Sequence, residues 1–251
     1  MTFTHQGVTL DRDGEIMIST TETAISKRTV AIPAEVTLSG ELTIPSGARG
    51  IVVFAHGSGS SRFSPRNQRV AAHLQAGGFA TLLFDLLTAG EESIDARTTQ
   101  YRFDIPLLAL RLVDVTDWLS TQDATRGLRI GYFGASTGAA AALVAAANRR
   151  DVIRAVVSRG GRPDLAGPAL TRVHAPTLLI VGGDDTAVID MNRSALAQLA
   201  AKVKTLEIVP GATHLFEEPG ALEQVSESAL DWFDDYLAAP LFYARREASK
   251  P

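Results

Sequence analysis

Two hydrophobic periods divide this chain. From Ile51 onward, short apolar runs alternate with longer segments whose apolar residues recur every three or four positions. The runs Ile51–Ala55, Ala80–Phe84, Leu128–Phe133, Ile153–Ser158, Thr177–Val181 and Thr205–Val209 read as parallel strands buried on both faces. Between them the spacing predicts helices over Arg66–Gln75, Ile105–Leu119, Thr137–Ala147, Ser194–Ala201 and Leu222–Leu237. Such alternation predicts an α/β fold: a mostly parallel central sheet with helices on both faces and right-handed crossovers.

The first part of the chain is patterned differently. Val30–Ile44 alternates apolar and polar residues around Ser39-Gly40, which predicts a hairpin or two sequential strands there. Residues 1–27 are polar and rich in Thr and Ser, and are expected to form an arm or a pair of edge strands. Residues 28–239 make the α/β domain, and the charged end at 240–251 is expected to fray. With no repeat and no low-complexity linker, one domain is expected.

Composition narrows the class. The net charge of −4, with no basic stripe, speaks against a nucleic-acid partner. No apolar run reaches membrane-span length, and the first residues lack the basic start and apolar stretch of a secretory leader. A cytoplasmic protein is therefore expected, with a small molecule as its partner and its oligomeric state left open. The absence of cysteine removes disulfides, thiolate metal sites and a cysteine nucleophile. Neither a metal nor a cofactor is expected.

Ligands of open parallel sheets sit at the carboxyl ends of strands, so the residues after each apolar run are the candidates. Gly134-Ala135-Ser136-Thr137-Gly138 joins a predicted strand to an alanine-rich helix. This G-x-S-x-G pattern suits a nucleophilic serine on a sharp turn, with the helix N-terminus aimed at a developing oxyanion. Thr137 N–H would be one oxyanion donor. The alternative is a glycine-containing turn that binds phosphate or merely packs, but Gly131, Gly134 and Gly138 miss the dinucleotide spacing.

A serine needs a base, and His56 and His214 are the two histidines that follow strand-like runs. His214 falls last in the order Ser…Asp…His that an α/β-hydrolase topology requires. Asp184 and Asp185, after a Gly-Gly turn, can supply the acid; residue chemistry does not separate them from each other or from helix caps. Asp164 is a weaker third. His56-Gly57-Ser58-Gly59 follows the first strand, where Ser58 N–H, then Gly59 N–H, is the candidate second oxyanion donor.

The chain resembles α/β-hydrolases of the dienelactone-hydrolase-like group. The elbow Gly134–Gly138, the stretch Val181–Val188 and Gly211-Ala212-Thr213-His214-Leu215-Phe216 carry the resemblance, which spans Val30 to Leu237. In that group the acid sits three residues after a glycine with a valine soon after. The resemblance thereby implies Asp185, through Gly182 and Val188, as the acid of a Ser136, Asp185, His214 triad. His56–Arg62 resembles a subgroup of bacterial hydrolases, some of them fused to phosphoribosyltransferase domains. Dienelactone hydrolases proper use a cysteine nucleophile, so Ser136 points to ester hydrolysis but away from dienelactone as substrate.

The short segment Arg162–Arg172 leaves no room for a large cap over the site. Arg62, Arg66, Arg159 and Arg162 fall on loops near the expected rim. One or two of these four, Arg62 and Arg162 first, are the candidates for binding an anionic substrate group; the alternative is solvated ion pairs. The expectation is a serine hydrolase that cleaves small carboxylic esters through an acyl-enzyme. A thioesterase, amidase or lactone hydrolase on the same triad, or a non-catalytic phosphate- or nucleotide-binding protein, are the alternatives.

Overall fold

The computed structural model describes residues 4–10, 16–22 and 25–238. β1 (Thr4–Leu10) and β2 (Ile16–Glu22) pair antiparallel as a separate two-stranded sheet. The predicted tail at 240–251 lies outside the described residues.

The main sheet begins at Ile25, inside the stretch read above as an arm. β3 (Ile25–Pro33) and β4 (Thr37–Pro45) form an antiparallel pair, followed by β5 (Ile51–Ala55), α1 (Pro65–Ala76), β6 (Ala80–Phe84), α2 (Ala89–Thr98) and α3 (Ile105–Thr121). Then come β7 (Ile130–Ala135), α4 (Thr137–Asn148), β8 (Ile153–Arg159), a 3-10 segment (Pro163–Arg172), β9 (Thr177–Gly182), α5 (Thr186–Gln198), β10 (Lys204–Val209) and α6 (Ala221–Tyr236). Eight strands line up as β10-β9-β8-β7-β5-β6-β4-β3. The six from β10 to β6 run parallel, and β4 joins β6 antiparallel.

Helices cover both faces, as the alternation requires. Every residue of β5, β6, β7 and β9 is buried. One core layer packs the sheet against α3, α4 and the end of α5, through residues such as Leu108, Leu112, Leu143 and Leu199. The other packs it against α1 and α6, through Val70, Leu74, Val225 and Phe233. Among the described residues, no helix is long and apolar enough to cross a membrane.

Three expectations shift. The turn between β3 and β4 falls at Ala34–Val36 rather than at Ser39-Gly40. Gly40 is a mid-strand residue opposite Phe84, and a Cβ there would lie 3.2 Å from the phenylalanine Cβ. Helix α5 starts at Thr186, not Ser194; its inward face is Val188, Ile189, Asn192 and Ala195, and the polar Asn192 hides the helical period. Helix α2 was not anticipated. Asp95 is its one buried residue, so it has no apolar stripe, although the Thr88–Glu91 capping box that starts it is written in the sequence.

The order of strands places the site. After β5 the chain adds β6 on one side and then returns to lay β7 on the other. The crevice opens at this switch point, between the carboxyl ends of β5 and β7.

Candidate active site

Ser136 stands between β7 and α4 with φ 50° and ψ −122°. A non-glycine residue in this region is strained by about 1–3 kcal/mol and persists only where its surroundings hold it. Here its N–H donates to the Arg159 carbonyl at 3.2 Å, and its carbonyl accepts from Arg162 N–H and Ala139 N–H, each at 3.1 Å. The motif's last glycine has a steric cause. A Cβ on Gly138 would sit 2.3 Å from the Ala55 carbonyl oxygen and 2.4 Å from that of His56. Only a bare backbone lets α4 start this close to the end of β5.

Thr137, the first residue of α4, presents one of the helix's unpaired N–H groups beside Ser136. Its Oγ1 accepts the Ser58 N–H at 2.9 Å. The loop donor expected to face an oxyanion is thus engaged by a side chain, and an oxyanion there would compete with the Thr137 hydroxyl. That bond also ties the loop after β5 to the elbow.

The loops after β9 and β10 bring the candidate acid and the candidate base together. A Cβ on Gly182 would lie 2.3 Å from the Ala212 carbonyl oxygen and 2.6 Å from that of Thr213, so glycine here permits the two loops to touch. Asp185 occupies the N-cap of α5 but makes no side-chain cap bond. Its Oδ2 instead meets His214 Nδ1 at 2.6 Å, across 29 positions of sequence. The cap role that any aspartate at this position could fill is therefore not the one adopted. Asp184 is exposed, and Asp164 pairs with Arg162.

His56 is the other strand-end histidine and is only 6% exposed. Its Nδ1 pairs with the Gly57 carbonyl at 2.9 Å, and its Nε2 accepts the Leu86 N–H at 3.0 Å. This fixes a neutral tautomer with the proton on Nδ1. Burial holds its pKa below the ordinary histidine value, against the raising influence of the Gly57 carbonyl and Asp85. With both ring nitrogens engaged by backbone, His56 has no nitrogen to offer Ser136.

Two cavities meet at Gly57 and Ser58. One, of about 280 Å³, contains Ser136 and His214 with Arg66, Asn67, Arg159 and Leu215 on its walls. The other, of about 220 Å³, has Leu86, Leu87 and Leu108 beside Glu92, Asp95 and Arg102, with Thr137 at its edge. The Glu92 carboxyl is pushed up by burial and then by the charges of Asp85 and Asp95. One side of Ser136 is therefore cationic, the other apolar and acidic.

The four rim arginines separate by partner. Arg62 forms an ion pair with Asp85, and its guanidinium lies 4.1 Å from the Phe63 ring centre. Arg162 grips Asp164 through two bonds of 2.9 and 2.8 Å. Neither lines the cavity of Ser136 and His214, so the two arginines selected from sequence are held as ion pairs beyond it. Arg66 pairs with Glu217 at 3.0 Å. Among the described residues, Arg159 alone of the four has no carboxylate partner. It is 7% exposed, donates one long bond of 3.4 Å to Asn67 Oδ1, and its other terminal nitrogen has no partner among the described residues. Burial first, then the nearby Arg66 charge, lower its pKa to about 10. The sequence signal for this position is its place directly after the predicted strand Ile153–Ser158.

Known proteins resemble the chain over most of its length. Residues 38–237 match the dienelactone hydrolase family. A Mycobacterium tuberculosis protein, named provisionally as a phosphoribosyl transferase, is 61% identical over 209 residues, covering 83% of this chain and 46% of that one. The chain thus spans about half the length of these curated relatives. Among solved structures, a dienelactone hydrolase from Anabaena variabilis superposes with a TM-score of 0.83 and 60% identity, covering 85% of this chain and 99% of that one. Est1E from Butyrivibrio proteoclasticus shares the fold, with a TM-score of 0.69 at 17% identity over 82% of this chain and 98% of its own. The family match covers well over half of the sequence and agrees with the parallel sheet and the elbow, so the chain belongs to the dienelactone hydrolase family of the α/β-hydrolase fold.

Proposed function

We propose that this chain is a serine hydrolase that cleaves carboxylic esters of small substrates through an acyl-enzyme on Ser136. The observation that carries the reading is the 2.6 Å bond from His214 Nδ1 to Asp185, with His214 lining the cavity that also holds the strained Ser136. Membership of a hydrolase family supports it. An aspartate on Nδ1 leaves Nε2 as the basic nitrogen and stabilises the imidazolium once a proton arrives.

His214 Nε2 takes the Oγ proton as Ser136 attacks the ester carbonyl. The oxyanion forms beside the Thr137 N–H, where the dipole of α4 favours negative charge. Collapse expels the alcohol, which takes the proton from His214. A water then attacks the acyl-serine with His214 as base, and Ser136 leaves with the proton returned to its Oγ. Among the described residues, no hydrogen bond joins Ser136 Oγ to His214; contacts of this kind commonly tighten only when substrate is bound.

The 61% identity to proteins carrying a phosphoribosyl transferase name raises phosphoribosyl transfer as a second reading. The matched stretch is under half of those proteins, so we give that name less weight than the side-chain geometry. The test is hydrolysis of p-nitrophenyl acetate and butyrate by the wild type and Ser136→Ala, with fluorophosphonate labelling in parallel. Turnover and labelling that both vanish in the variant are expected. A folded wild type that neither turns over these esters nor labels would overturn the proposal.

A further inference from the structure

Asn192 is out of place on the inward face of α5. Three of the four buried positions of this helix hold Val188, Ile189 and Ala195, and the fourth holds a fully buried amide. An amide in an apolar layer destabilises the fold unless hydrogen bonds offset its desolvation. Asn192 Nδ2 donates to the Val188 carbonyl at 2.8 Å, one turn back on its own helix. It also donates to the Gly161 carbonyl at 3.0 Å, 31 positions away. An aliphatic side chain would fill the same volume, so the bond to Gly161 is what gives this position a need for an amide.

Gly161 belongs to the loop after β8, and that loop grips Ser136 from both sides. The Arg159 carbonyl accepts the Ser136 N–H at 3.2 Å, and Arg162 N–H donates to the Ser136 carbonyl at 3.1 Å. Between these contacts, Gly160 N–H donates to the Ile180 carbonyl at 2.8 Å. Gly160 has φ 51°, and a Cβ there would lie 3.1 Å from the His214 carbonyl oxygen and 3.6 Å from His214 Cε1. The loop therefore runs directly against His214. On its other side, a Cβ on Gly161 would overlap Ser158 Oγ and come 2.7 Å from Ala139 Cβ, in the first turn of α4. Asn192 reaches this loop from the helix whose N-cap, Asp185, meets His214. A single helix thus carries the carboxylate–imidazole contact at its start and the tie to the Ser136 clamp two turns later.

We propose that Asn192 is a positioning residue: its bond to the Gly161 carbonyl fixes the 159–162 loop, which keeps Ser136 in its strained conformation and in register with His214. This deepens the ester-hydrolase reading and rests on it for turnover, though not for the mechanical coupling. Asn192 touches no reacting atom and takes no proton. A backbone strained as Ser136 is relaxes once its surroundings stop holding it, and a shift of about 1 Å at a reacting atom can cost about 100-fold in rate.

Three variants test the coupling. Asn192→Leu keeps the volume and removes the donors. Asn192→Ser is the milder change; its hydroxyl can return to the Val188 carbonyl but is too short for Gly161. Ala195→Gly weakens the same helix one turn further on and removes no bond to the loop. Both Asn192 variants should lower kcat on p-nitrophenyl butyrate, and the rate of fluorophosphonate labelling, about 10- to 100-fold, with KM within about twofold. Ala195→Gly should lower the melting temperature and leave kcat within about twofold. Hydrogen exchange reads the clamp without substrate: amides of Gly134–Ala139 and Arg159–Arg162 should exchange about tenfold faster in the Asn192 variants than in Ala195→Gly. That result would support the coupling even in a protein that hydrolyses no ester. Losses of kcat no larger than those of Ala195→Gly, or exchange at Gly134–Ala139 that ignores Asn192, would overturn it.

Discussion

His56 and His214 both follow parallel strands at the carboxyl end of the sheet, one after β5 and the other after β10, yet their ring nitrogens are engaged differently. His56 is sealed in, and each ring nitrogen meets a backbone group, the Gly57 carbonyl and the Leu86 N–H. His214 is half-open and lines the cavity of Ser136; Asp185 holds one ring nitrogen, and the other has no partner among the described residues. The first ring works as a strut that fixes the tautomer, the Gly57 loop and the start of the chain after β6. The second is restrained at one point and can exchange a proton at the other. What distinguishes a structural histidine from a candidate base here is the number of ring nitrogens left uncommitted.

The sharpest way to break this comparison is to remove each ring. His214→Ala should lower kcat on p-nitrophenyl butyrate by about 10⁵- to 10⁶-fold, as in serine enzymes that lose their base. The folded state should be retained, because His214 is partly solvent-exposed. Near-normal turnover would remove His214 from the mechanism. Next in size is Asp185→Asn, which should reduce kcat about 10⁴-fold by favouring the wrong imidazole tautomer while leaving fluorescence and melting almost unchanged. A loss below about tenfold would mean that the 2.6 Å bond positions the ring without tuning it.

The comparison also marks what could be read from the chain alone. β5 and β6 coincide with the runs Ile51–Ala55 and Ala80–Phe84, because strands buried on both faces leave no polar residue to blur their ends. The elbow was legible because its demands are local, a serine and its glycines within one turn. The carboxylate partner of His214 was half-legible: two adjacent aspartates look alike until α5 begins at Thr186 and turns Asp185, not Asp184, towards His214. The role of His56 was hidden, since Leu86 lies 30 residues away and on another strand's end. The arginines were illegible for the same reason. Whether a guanidinium is neutralised depends on partners such as Asp85 that only the folded sheet brings near.

Replacing the strut should affect stability more than chemistry. His56→Leu leaves the Leu86 N–H without an acceptor in a buried site, and should cost about 1–3 kcal/mol by urea denaturation at pH 7.5. It should also change the acid limb. His56 has a folded-state pKa below its unfolded value of about 6.5, so below that pH the unfolded chain binds the extra proton. Wild-type stability should therefore fall as pH drops from 6.5 towards the folded pKa, with His56 contributing up to about 1.4 kcal/mol per pH unit. The leucine variant lacks this contribution, so the gap between the two proteins should narrow on acidification. A gap that stays constant from pH 7.5 to 5 would show that His56 is not held neutral by the fold.

The smallest expected effect is the most discriminating. Asp184 is exposed; its backbone N–H donates to the Ala212 carbonyl at 3.0 Å, helping to tie the loop that carries His214 to the end of β9. Asp184→Asn preserves that backbone bond and removes only a solvated charge, so kcat should change by less than about twofold and stability by less than about 0.5 kcal/mol. The neighbouring Asp185→Asn makes the same chemical change one residue along, so the ratio between the two variants isolates the contact with His214 from charge and from loop geometry. If the Asp184 variant were the damaged one, His214 would have to change carboxylates during turnover. The 2.6 Å pair would then describe the resting enzyme alone, and the contrast between a doubly held and a singly held histidine would no longer explain which ring is the base.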